Sequence, residues 1–316
     1  MLATVIIPTY NVCELLEGCL LSLNHQILTG RQSFDVIVVD DGSTDDTASM
    51  VRRLDLNYQL QYHYMPRTSH SSRSAARNLA IANAKGDVIV IVDADQIMPP
   101  TFLYEHLRLH AESHDLVVVG PRDFMNQGRV NVERLAQGFD SQVMPPVGRR
   151  DSRGQILAAV SENFNNMATC WHYLFTCNAS IWRTHLLAVG GFDENFKGWG
   201  LEDSELGYRL RKLGLAFEYN SEAVLYHPFR PSFRQLTAEL KNERYNQWRA
   251  NLKYFVQKYD DAEVSAQFIL DRYHNPRAAD LDFLNACLRF EFAVRALQGR
   301  LPLVPADLGH IINNDI

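Results

Sequence analysis

The sequence predicts an α/β fold in which a mostly parallel central sheet is flanked by helices and followed by a helical C-terminal extension. Short apolar segments alternate with helix-like segments through the first 120 residues, which favours parallel strands with right-handed crossovers. The segment Val88–Val92 contains only valine and isoleucine, as expected of a strand buried on both faces. After Pro231 the apolar residues recur at helical spacing instead.

Composition narrows the functional classes. The 316 residues can bury one large core or two, and 46% hydrophobic with 22% charged residues is typical of a soluble globular protein. A net charge of −6 argues against a general nucleic-acid binder. No apolar stretch is long enough to span a membrane, and Pro8 interrupts the N-terminal apolar run, so we expect no signal peptide. Five scattered cysteines without a C-x-x-C pair indicate a reducing compartment, so we expect a cytoplasmic protein.

The first strand is predicted at Thr4–Ile7, where Pro8 should end it, and Asn11 is placed to cap the next helix. The second strand, Asp35–Val39, leads into Asp40 and Asp41.

The acidic run after the second strand has two parts. We expect Thr44 to cap a helix that carries Asp45 and Asp46 in its first turn, where the helix dipole favours acids. Capping does not explain Asp40 and Asp41 at the strand end. A carboxylate at that place accepts hydrogen bonds from a base or ribose in dinucleotide-binding folds.

A third strand is predicted at Tyr58–Tyr64 and an alanine-rich helix at Ser74–Ala84. Arg73 and Arg77 lie four residues apart at its start, so they share one helix face. Two guanidinium groups at a helix N-terminus suit a diphosphate. A surface pair bonded to acids elsewhere is the equal alternative.

Asp93-Ala94-Asp95 follows the central strand. In an extended chain, residues two apart point to the same side, so both carboxylates are expected to leave the strand end together. Such a pair attracts a hard divalent cation, at the sheet edge where ligands bind in open α/β folds. The alternative for an isolated pair is a solvated turn.

A helix at Phe102–Ala111 and a strand at Leu116–Val119 should continue the alternation. The segment 122–167 has weak periodicity, and we predict helical pieces joined by a mobile loop. Long irregular segments within a domain often form lids or binding loops, although a surface insertion is nearly as frequent.

The next motifs add acids and an aromatic residue. We predict a short strand at Phe175–Ile181, which contains Asn178, and a helix that begins at Glu202-Asp203 and runs to Leu213. Gly198 and Gly200 flank Trp199 and should leave its ring uncovered as an aromatic platform. One acid at the start of a helix is explained by the dipole, but two beside an exposed tryptophan indicate a site.

One or two strands are predicted in Ala216–Leu225 and end at Tyr226-His227-Pro228; Pro228 stops the strand, so His227 should lie at its end. It is interpreted as a third metal ligand, with a structural histidine as the alternative. The C-terminal helices have a polar face with Lys241, Arg244, Lys253 and Arg272, which indicates a solvated face or, less often, peripheral binding to an anionic membrane.

Five motifs together resemble those of GT-A-fold, family-2-type inverting glycosyltransferases. In chain order they are Pro8-Thr9-Tyr10-Asn11, Val39-Asp40-Asp41-Gly42-Ser43-Thr44-Asp45, Ala76-Arg77-Asn78, Asp93-Ala94-Asp95 and Gly198-Trp199-Gly200-Leu201-Glu202-Asp203. The last motif and His227 are also similar to the catalytic half of chondroitin polymerases, polypeptide N-acetylgalactosaminyltransferases and β-1,4-galactosyltransferases.

The resemblance implies a GT-A (Rossmann-like) domain over 1–230, with a nucleotide-binding half at 1–120 and an acceptor half at 121–230, and a helical extension at 231–316. The implied ligands are a UDP-sugar, an acceptor glycan or glycolipid, and Mn²⁺ or Mg²⁺. By the same resemblance the site residues fall into four groups, as follows. The nucleotide-sugar would contact Pro8, Thr9, Tyr10, Asp40, Asp41, Arg73, Arg77, Asp93, Ala94 and Asp95; the metal would contact Asp93, Asp95 and His227; the acceptor would contact Asn178, Trp199 and Gly200; Asp203 would be the general base, with Glu202 orienting the sugar or acceptor.

Two other functional classes compete with this interpretation. A nucleotidyltransferase also combines a nucleotide-binding α/β domain with a metal-binding acid pair, but it should carry a glycine-rich basic loop after the first strand, where this chain has Pro8-Thr9-Tyr10-Asn11. A non-catalytic module that binds nucleotide-sugars has no reason to keep Asp93, Asp95, Glu202, Asp203 and His227 together.

Overall fold

The computed structural model describes most of the chain. The described residues are 1–126, 130–140, 143, 146–160, 163–228, 236–275 and 283–300. The C-terminal end of the predicted extension, 301–316, and parts of the 122–167 segment therefore lie outside them.

A seven-stranded mixed sheet forms the centre of the molecule, in the order β3-β2-β1-β4-β8-β5-β9. Strands β1 to β4 are mutually parallel, whereas β8 runs antiparallel to its neighbours β4 and β5. Both faces of β4 are buried, as its valine and isoleucine content predicts. The strands are β1 Leu2–Thr9, β2 Ser33–Asp40, β3 Gln59–Tyr64, β4 Val88–Val92, β5 Leu116–Val119, β6 Arg122–Met125, β7 Val147–Arg149, β8 Asn178–Trp182, β9 Ala216–Tyr219 and β10 Leu225–His227.

A small second sheet, in the order β10-β6-β7, was not predicted. It lies within the weakly periodic segment and in the residues before Pro228. β6 and β7 have four and three residues and lack a continuous apolar run, so the sequence pattern missed them, whereas the strand expected to end at His227 corresponds to β10. This sheet carries His227 to the site, because β10 pairs with β6 and Ile97 bridges Tyr226.

Twelve helices accompany the strands in the described part of the chain. Their bounds are α1 Cys13–Leu23, α2 Thr47–Arg53, α3 Arg73–Asn83, α4 Phe102–Glu112, α5 Val132–Gln137, α6 Ser152–Val160, α7 Arg183–Ala188, α8 Glu202–Lys212, α9 Ala238–Tyr259, α10 Ala262–Ser265, α11 Asp271–His274 and α12 Phe283–Leu297. None of these helices is both long and apolar enough to cross a membrane.

Three local predictions near the N-terminus are wrong. Pro8 does not end β1 but pairs with Val39; on the β4 side the pairing already ends at Ile6, so the missing N–H costs no hydrogen bond there. Asn11 has φ +50° and does not cap α1; its Oδ1 accepts from the backbone N–H of Thr44 instead. Thr44 is therefore not a cap, and α2 begins at Thr47, whose N–H and hydroxyl donate to Asp45.

The C-terminal helices pack directly against the core of the central sheet. Trp248, Leu252 and Phe255 of α9 and Phe290 of α12 belong to the same hydrophobic cluster as Ile89 of the central strand. Burying aromatic side chains of this size contributes about 2 kcal/mol or more each, so the extension is held by core packing. The predicted helical C-terminal region is confirmed.

Candidate active site

Most of the predicted site residues lie at the carboxyl ends of β1, β2 and β4, at the start of α8, or on the neighbouring α3 and β10. Asp93 and Asp95 follow β4, but the chain turns at Ala94, so the extended-chain alternation does not continue. Asp95 is buried and faces His227, whereas Asp93 is partly exposed and faces Arg77. The two carboxylates therefore have different partners.

The two nitrogens of His227 have different partners. Nδ1 lies 2.6 Å from the carbonyl oxygen of Pro228, which can only accept, so Nδ1 carries a proton. Nε2 lies 3.3 Å from Oδ2 of Asp95, and both groups are buried. In the neutral ring, Nε2 directs a lone pair at a carboxylate, an arrangement that a cation between them would stabilise. Oxygen and imidazole donors of this kind fit a divalent metal.

The three proposed metal ligands are not preassembled. In the described part of the chain, one group of three ligating side chains has all its ligand atoms within 4.8 Å of one another, and it consists of His114, Asp115 and His185. That group lies at the amino end of β5, at the opposite end of the sheet from Asp93. Binding of one metal by Asp93, Asp95 and His227 would therefore require these side chains to move closer together.

Arg77 connects the β4 strand end to the start of α8. Its Nη2 lies 3.1 Å from Oδ1 of Asp93, and its Nη1 lies 3.3 Å from Oδ1 of Asp203. Burial alone would lower the pKa of Arg77, but the negative charges of Asp203, Asp93 and Glu202 outweigh it and raise the pKa. The buried guanidinium thus stays charged and keeps two carboxylates near each other that would otherwise repel.

Asp203 is oriented by a second element. The backbone N–H of Thr176 donates to Oδ2 of Asp203 over 3.2 Å, and the Thr176 hydroxyl donates to Oδ1. With Arg77, these donors hold the carboxylate in one orientation while a quarter of its side-chain surface stays exposed. Asp203 is therefore both fixed and accessible.

Glu202 differs from its neighbour. Its side chain is almost completely buried, and its closest basic group is Nη2 of Arg73 at 3.7 Å. Burial, reinforced by the negative charge of Asp203, raises the pKa of Glu202. Glu202 is therefore the buried acid of the pair and Asp203 the accessible one, so the two adjacent acids are suited to different roles.

In the acidic turn after β2, Asp40 is hydrogen-bonded within the turn and to β3, and Asp41 forms an ion pair with Arg67. Asp40 accepts from the N–H of Ser43 at 2.7 Å and from the hydroxyl of Tyr62. Arg67 pairs with Asp41, and its guanidinium carbon lies 4.0 Å from the ring centroid of Tyr10. Tyr10 is 44% exposed, so this turn has an accessible aromatic face beside buried acids.

A loop with left-handed backbone presents Trp199. Gly198, Gly200 and the non-glycine Leu201 have φ values of +70°, +97° and +73°. Leu201 in this region costs about 1 kcal/mol or more, so the surrounding structure must hold the loop.

Asn251 of α9 provides that support. Its Oδ1 accepts from the N–H of Lys197 at 3.2 Å, and its Nδ2 donates to the carbonyl oxygens of Lys197 at 3.0 Å and Gly200 at 2.8 Å.

Trp199 is half-buried, not exposed as expected. Its ring contacts His274 edge-to-face at a centroid distance of 5.8 Å, and the guanidinium carbon of Arg244 lies 5.8 Å from the ring. The C-terminal helices supply both contacts, and they cover part of the ring that the flanking glycines would leave open.

Asn178 is not placed to contact an acceptor. It is fully buried at the start of β8. Its Nδ2 donates to the carbonyl oxygens of Pro121 and Ala223, each at 2.8 Å, and its Oδ1 lies 2.9 Å from His106. Its polar atoms are used to join β8 to neighbouring elements, so the acceptor assignment is wrong.

The structure adds residues that the sequence pattern did not single out. Thr176 and Arg67 contact predicted acids, and Asn251 supports the loop. None lies in a recognisable motif. For Asn251 the sequence did contain a signal, because a polar residue occupies a position on the buried face of the amphipathic α9. Thr176 and Arg67 had no such signal.

Comparison with known proteins agrees with this geometry. Residues 4–182, more than half of the chain, match the model described as Glycosyl transferase family 2. Residues 156–228 match the model described as N-terminal domain of galactosyltransferase. The second match includes Trp199, Glu202, Asp203 and His227.

Two curated relatives are similar to the chain over about 70% of its length. Validoxylamine A glucosyltransferase of Streptomyces hygroscopicus subsp. jinggangensis is 32% identical over 234 residues, 70% of this chain and 54% of that protein. Chondroitin synthase of Pasteurella multocida is 30% identical over 241 residues, 71% of this chain and 24% of that protein. The chain thus spans about half or less of these relatives.

Two solved structures share the fold. TarS residues 1–349 of S. aureus in complex with UDP-GlcNAc aligns with a TM-score of 0.60 and 20% identity, over 95% of this chain and 84% of that one. The mannosyltransferase PcManGT of Pyrobaculum calidifontis, in complex with GDP-Man and Mn²⁺, aligns with a TM-score of 0.55 and 18% identity, over 98% and 79%. The predicted GT-A arrangement of sheet and helices is confirmed.

Proposed function

The chain belongs to glycosyl transferase family 2, and on that premise we propose that it is a metal-dependent inverting glycosyltransferase. It would move a hexose or N-acetylhexosamine from a UDP-sugar to a hydroxyl of a glycan, glycolipid or polysaccharide precursor. One observation carries the proposal: Arg77 joins Asp93, at the metal-binding strand end, to Asp203, at the acceptor side.

Asp93, Asp95 and His227 would hold Mn²⁺ or Mg²⁺. The donor set supports this assignment, since Nε2 of His227 and Oδ2 of Asp95 face each other at 3.3 Å. A bound divalent ion supplies Lewis-acid stabilisation to the diphosphate leaving group. The Mn²⁺ complex of PcManGT, a protein with the same fold, is consistent with a metal here.

The donor nucleotide would bind at the turn after β2. Asp40 and Asp41 offer acceptors for a uracil N–H or ribose hydroxyls, and the exposed ring of Tyr10 offers a face on which a base stacks. Pro8 and Thr9 place Tyr10 at the end of β1, beside Asp40. The UDP-GlcNAc complex of TarS supports a UDP-sugar as the donor class.

The chemical step needs a proton acceptor on the acceptor side. In the proposed step, the acceptor oxygen bonds to the anomeric carbon, the bond from that carbon to the UDP oxygen breaks, and UDP leaves with the electron pair. Asp203 takes the proton of the attacking hydroxyl. Arg77 and Thr176 keep the carboxylate oriented, and Glu202 orients the sugar or acceptor. One displacement inverts the anomeric configuration.

A screen of UDP-sugars tests the proposal. The full chain is incubated with each UDP-sugar and Mn²⁺ or Mg²⁺, and UDP release is measured with and without EDTA. We expect metal-dependent UDP release from at least one UDP-hexose or UDP-N-acetylhexosamine. If no UDP-sugar binds or is hydrolysed, or if hydrolysis is unchanged in EDTA, the proposed function is wrong.

A further inference from the structure

We propose that Arg122 and Arg149, on either side of Phe124, form an anion-binding subsite for a carboxylate or phosphate group of the acceptor. This inference rests on the proposed function and extends it, because it assigns the acceptor to the class of anionic glycans or phosphate-bearing precursors.

The small sheet places these side chains beside the proposed metal site. Arg122 and Phe124 are two residues apart on β6, so they lie on the same face. In the sheet register Phe124 lies between His227 of β10 and Arg149 of β7. The ring of Phe124 lies 5.2 Å from that of His227. The guanidinium carbons of Arg149 and Arg122 lie 4.0 Å and 5.1 Å from the Phe124 ring.

Neither guanidinium has a carboxylate in direct contact in the part of the chain that the structure describes, although the charge of Asp151 acts on both from a greater distance. Among the described residues, neither the Arg122 nor the Arg149 guanidinium forms an ion pair with a carboxylate, although the backbone N–H of Arg122 donates to Oδ2 of Asp151 at 2.8 Å. The one hydrogen-bonding partner of the Arg122 guanidinium there is Sγ of Cys177 at 3.4 Å, and burial raises the pKa of that thiol, so it carries no charge at neutral pH. Nε of Arg122 is buried without a partner. A buried unpaired donor of this kind is uncommon and suits a ligand.

Two neighbouring arginines, unlike Arg122 and Arg149, form ion pairs with carboxylates. Arg150 pairs with Asp123, and Arg153 pairs with Asp151 at 2.8 Å. Burial lowers the pKa of Arg149, and the nearby charge of Arg122 lowers it further. Two like charges on one aromatic ring repel each other, and an anion bound to both would remove that repulsion.

The position of the pair favours the acceptor over the donor. Arg149 of β7 lies across Phe124 from His227 of β10 in the small sheet, so the subsite extends away from the proposed metal ligand. The donor turn at Asp40 lies at the end of β2, which is three strands away from β8 in the central sheet. Cys177, the partner of Arg122, immediately precedes β8.

The test uses two pairs of small probes on the full chain, with and without saturating UDP and Mn²⁺. Methyl β-glucuronide is compared with methyl β-glucoside, and glycerol 3-phosphate with glycerol, by ligand-observed NMR titration. We expect at least one charged probe to bind about ten-fold or more tightly than its neutral partner, because hydrogen bonds to charged groups contribute that much. Equal binding within both pairs would overturn the inference.

Variants assign the difference to the two arginines. Arg149→Gln changes an exposed side chain and should fold, and we expect it to reduce the preference for the charged probe by about ten-fold. Arg122→Gln should do the same, with its melting temperature measured in parallel. Arg150→Gln is the matched control and should keep the preference, because Arg150 pairs with Asp123.

The same experiment separates this inference from the proposed function. UDP affinity in Mn²⁺ is measured for each variant and should stay within two-fold of the parent. If both variants weaken UDP about ten-fold and leave the probes unaffected, the anion is the donor diphosphate and the inference is wrong. If the parent chain does not bind UDP at all, the proposed function fails, whereas the probe preference tests the subsite alone.

Discussion

Nε2 of His227 lies 3.3 Å from Oδ2 of Asp95, while Nδ1 of the same ring is protonated against the carbonyl oxygen of Pro228. The second contact determines the tautomer, and it leaves Nε2 as the atom available to a metal. Metal dependence distinguishes this assignment from a structural ion pair between a protonated His227 and Asp95.

Replacing His227 with alanine tests the metal assignment. We expect His227→Ala to raise the metal concentration for half-maximal UDP release about ten-fold or more, because one ligand is lost. The measurement is UDP release over a titration of Mn²⁺, with the melting temperature recorded alongside. A lower melting temperature with unchanged metal dependence would make His227 structural.

Replacing Asn251 tests whether its hydrogen bonds from α9 hold the Trp199 loop in the conformation needed for transfer. Asn251→Ala removes three hydrogen bonds and leaves backbone groups of Lys197 and Gly200 without those partners. We expect the turnover rate for transfer to fall about ten-fold, because misplacement of the loop disturbs Glu202 and Asp203. UDP affinity should stay within two-fold, because the donor turn is not touched.

Asn246→Ala is the matched control for Asn251, since Asn246 is an exposed asparagine on the same helix. It should behave as the parent protein does. If Asn251→Ala lowers stability but transfers sugar at the parent rate, the loop does not depend on α9.

The lowered pKa of Asp193 predicts that the free energy of unfolding depends on pH. Burial would raise its pKa, but hydrogen bonds from Lys258, the Asn195 backbone and Tyr254 outweigh it and lower the pKa to about 2. A lowered pKa in the folded state contributes stability above the ordinary aspartate value of about 3.9, and this contribution is lost as the pH falls from about 4 through 2.

Asp193→Asn should therefore lower the free energy of unfolding at pH 7 by about 1–2 kcal/mol, and the deficit should shrink below pH 4. Urea denaturation of parent and variant at pH 7, 5, 4 and 3 measures the difference. An equal deficit at pH 3 and pH 7 would mean that the Asp193 charge does not hold Lys258 of α9.

Much of the fold follows from local pattern. The strand at Leu116–Val119 has the predicted bounds, and the second strand is longer than predicted by two residues at its start and one at its end. Apolar runs bounded by turn residues are a strong signal. The five motifs were sufficient to predict the family, which the match over residues 4–182 confirms.

The contacts between distant segments were not predictable in the same way. Arg77 and Asp203 are 126 residues apart in the sequence. The face of α3 that was predicted to bind a phosphate therefore also contributes Arg77 to a buried ion pair. Asn178 was predicted to contact the acceptor because it is a polar residue on a strand near the motifs, but its side chain forms hydrogen bonds inside the protein core. Spacing indicates which residues share a face, but not which segment packs against it.

The central claim is that Asp203 accepts the proton from the attacking hydroxyl, and Asp203→Asn tests it most directly. The variant keeps the size of the side chain and removes the base. A general base contributes about 10²–10⁴-fold in rate. Glu202→Gln, one residue away, is the comparison, and we expect it to disturb donor or acceptor binding as well as rate.

Initial rates of transfer are measured with the best donor from the UDP-sugar screen, together with calorimetric titration of UDP-sugar into each variant. The account predicts that Asp203→Asn loses turnover by about 10²–10⁴-fold while UDP-sugar affinity stays within a few-fold. Near-normal turnover of Asp203→Asn with a large loss in Glu202→Gln would assign the base to Glu202, whose pKa is raised by burial. Near-normal turnover in both variants would contradict the mechanism.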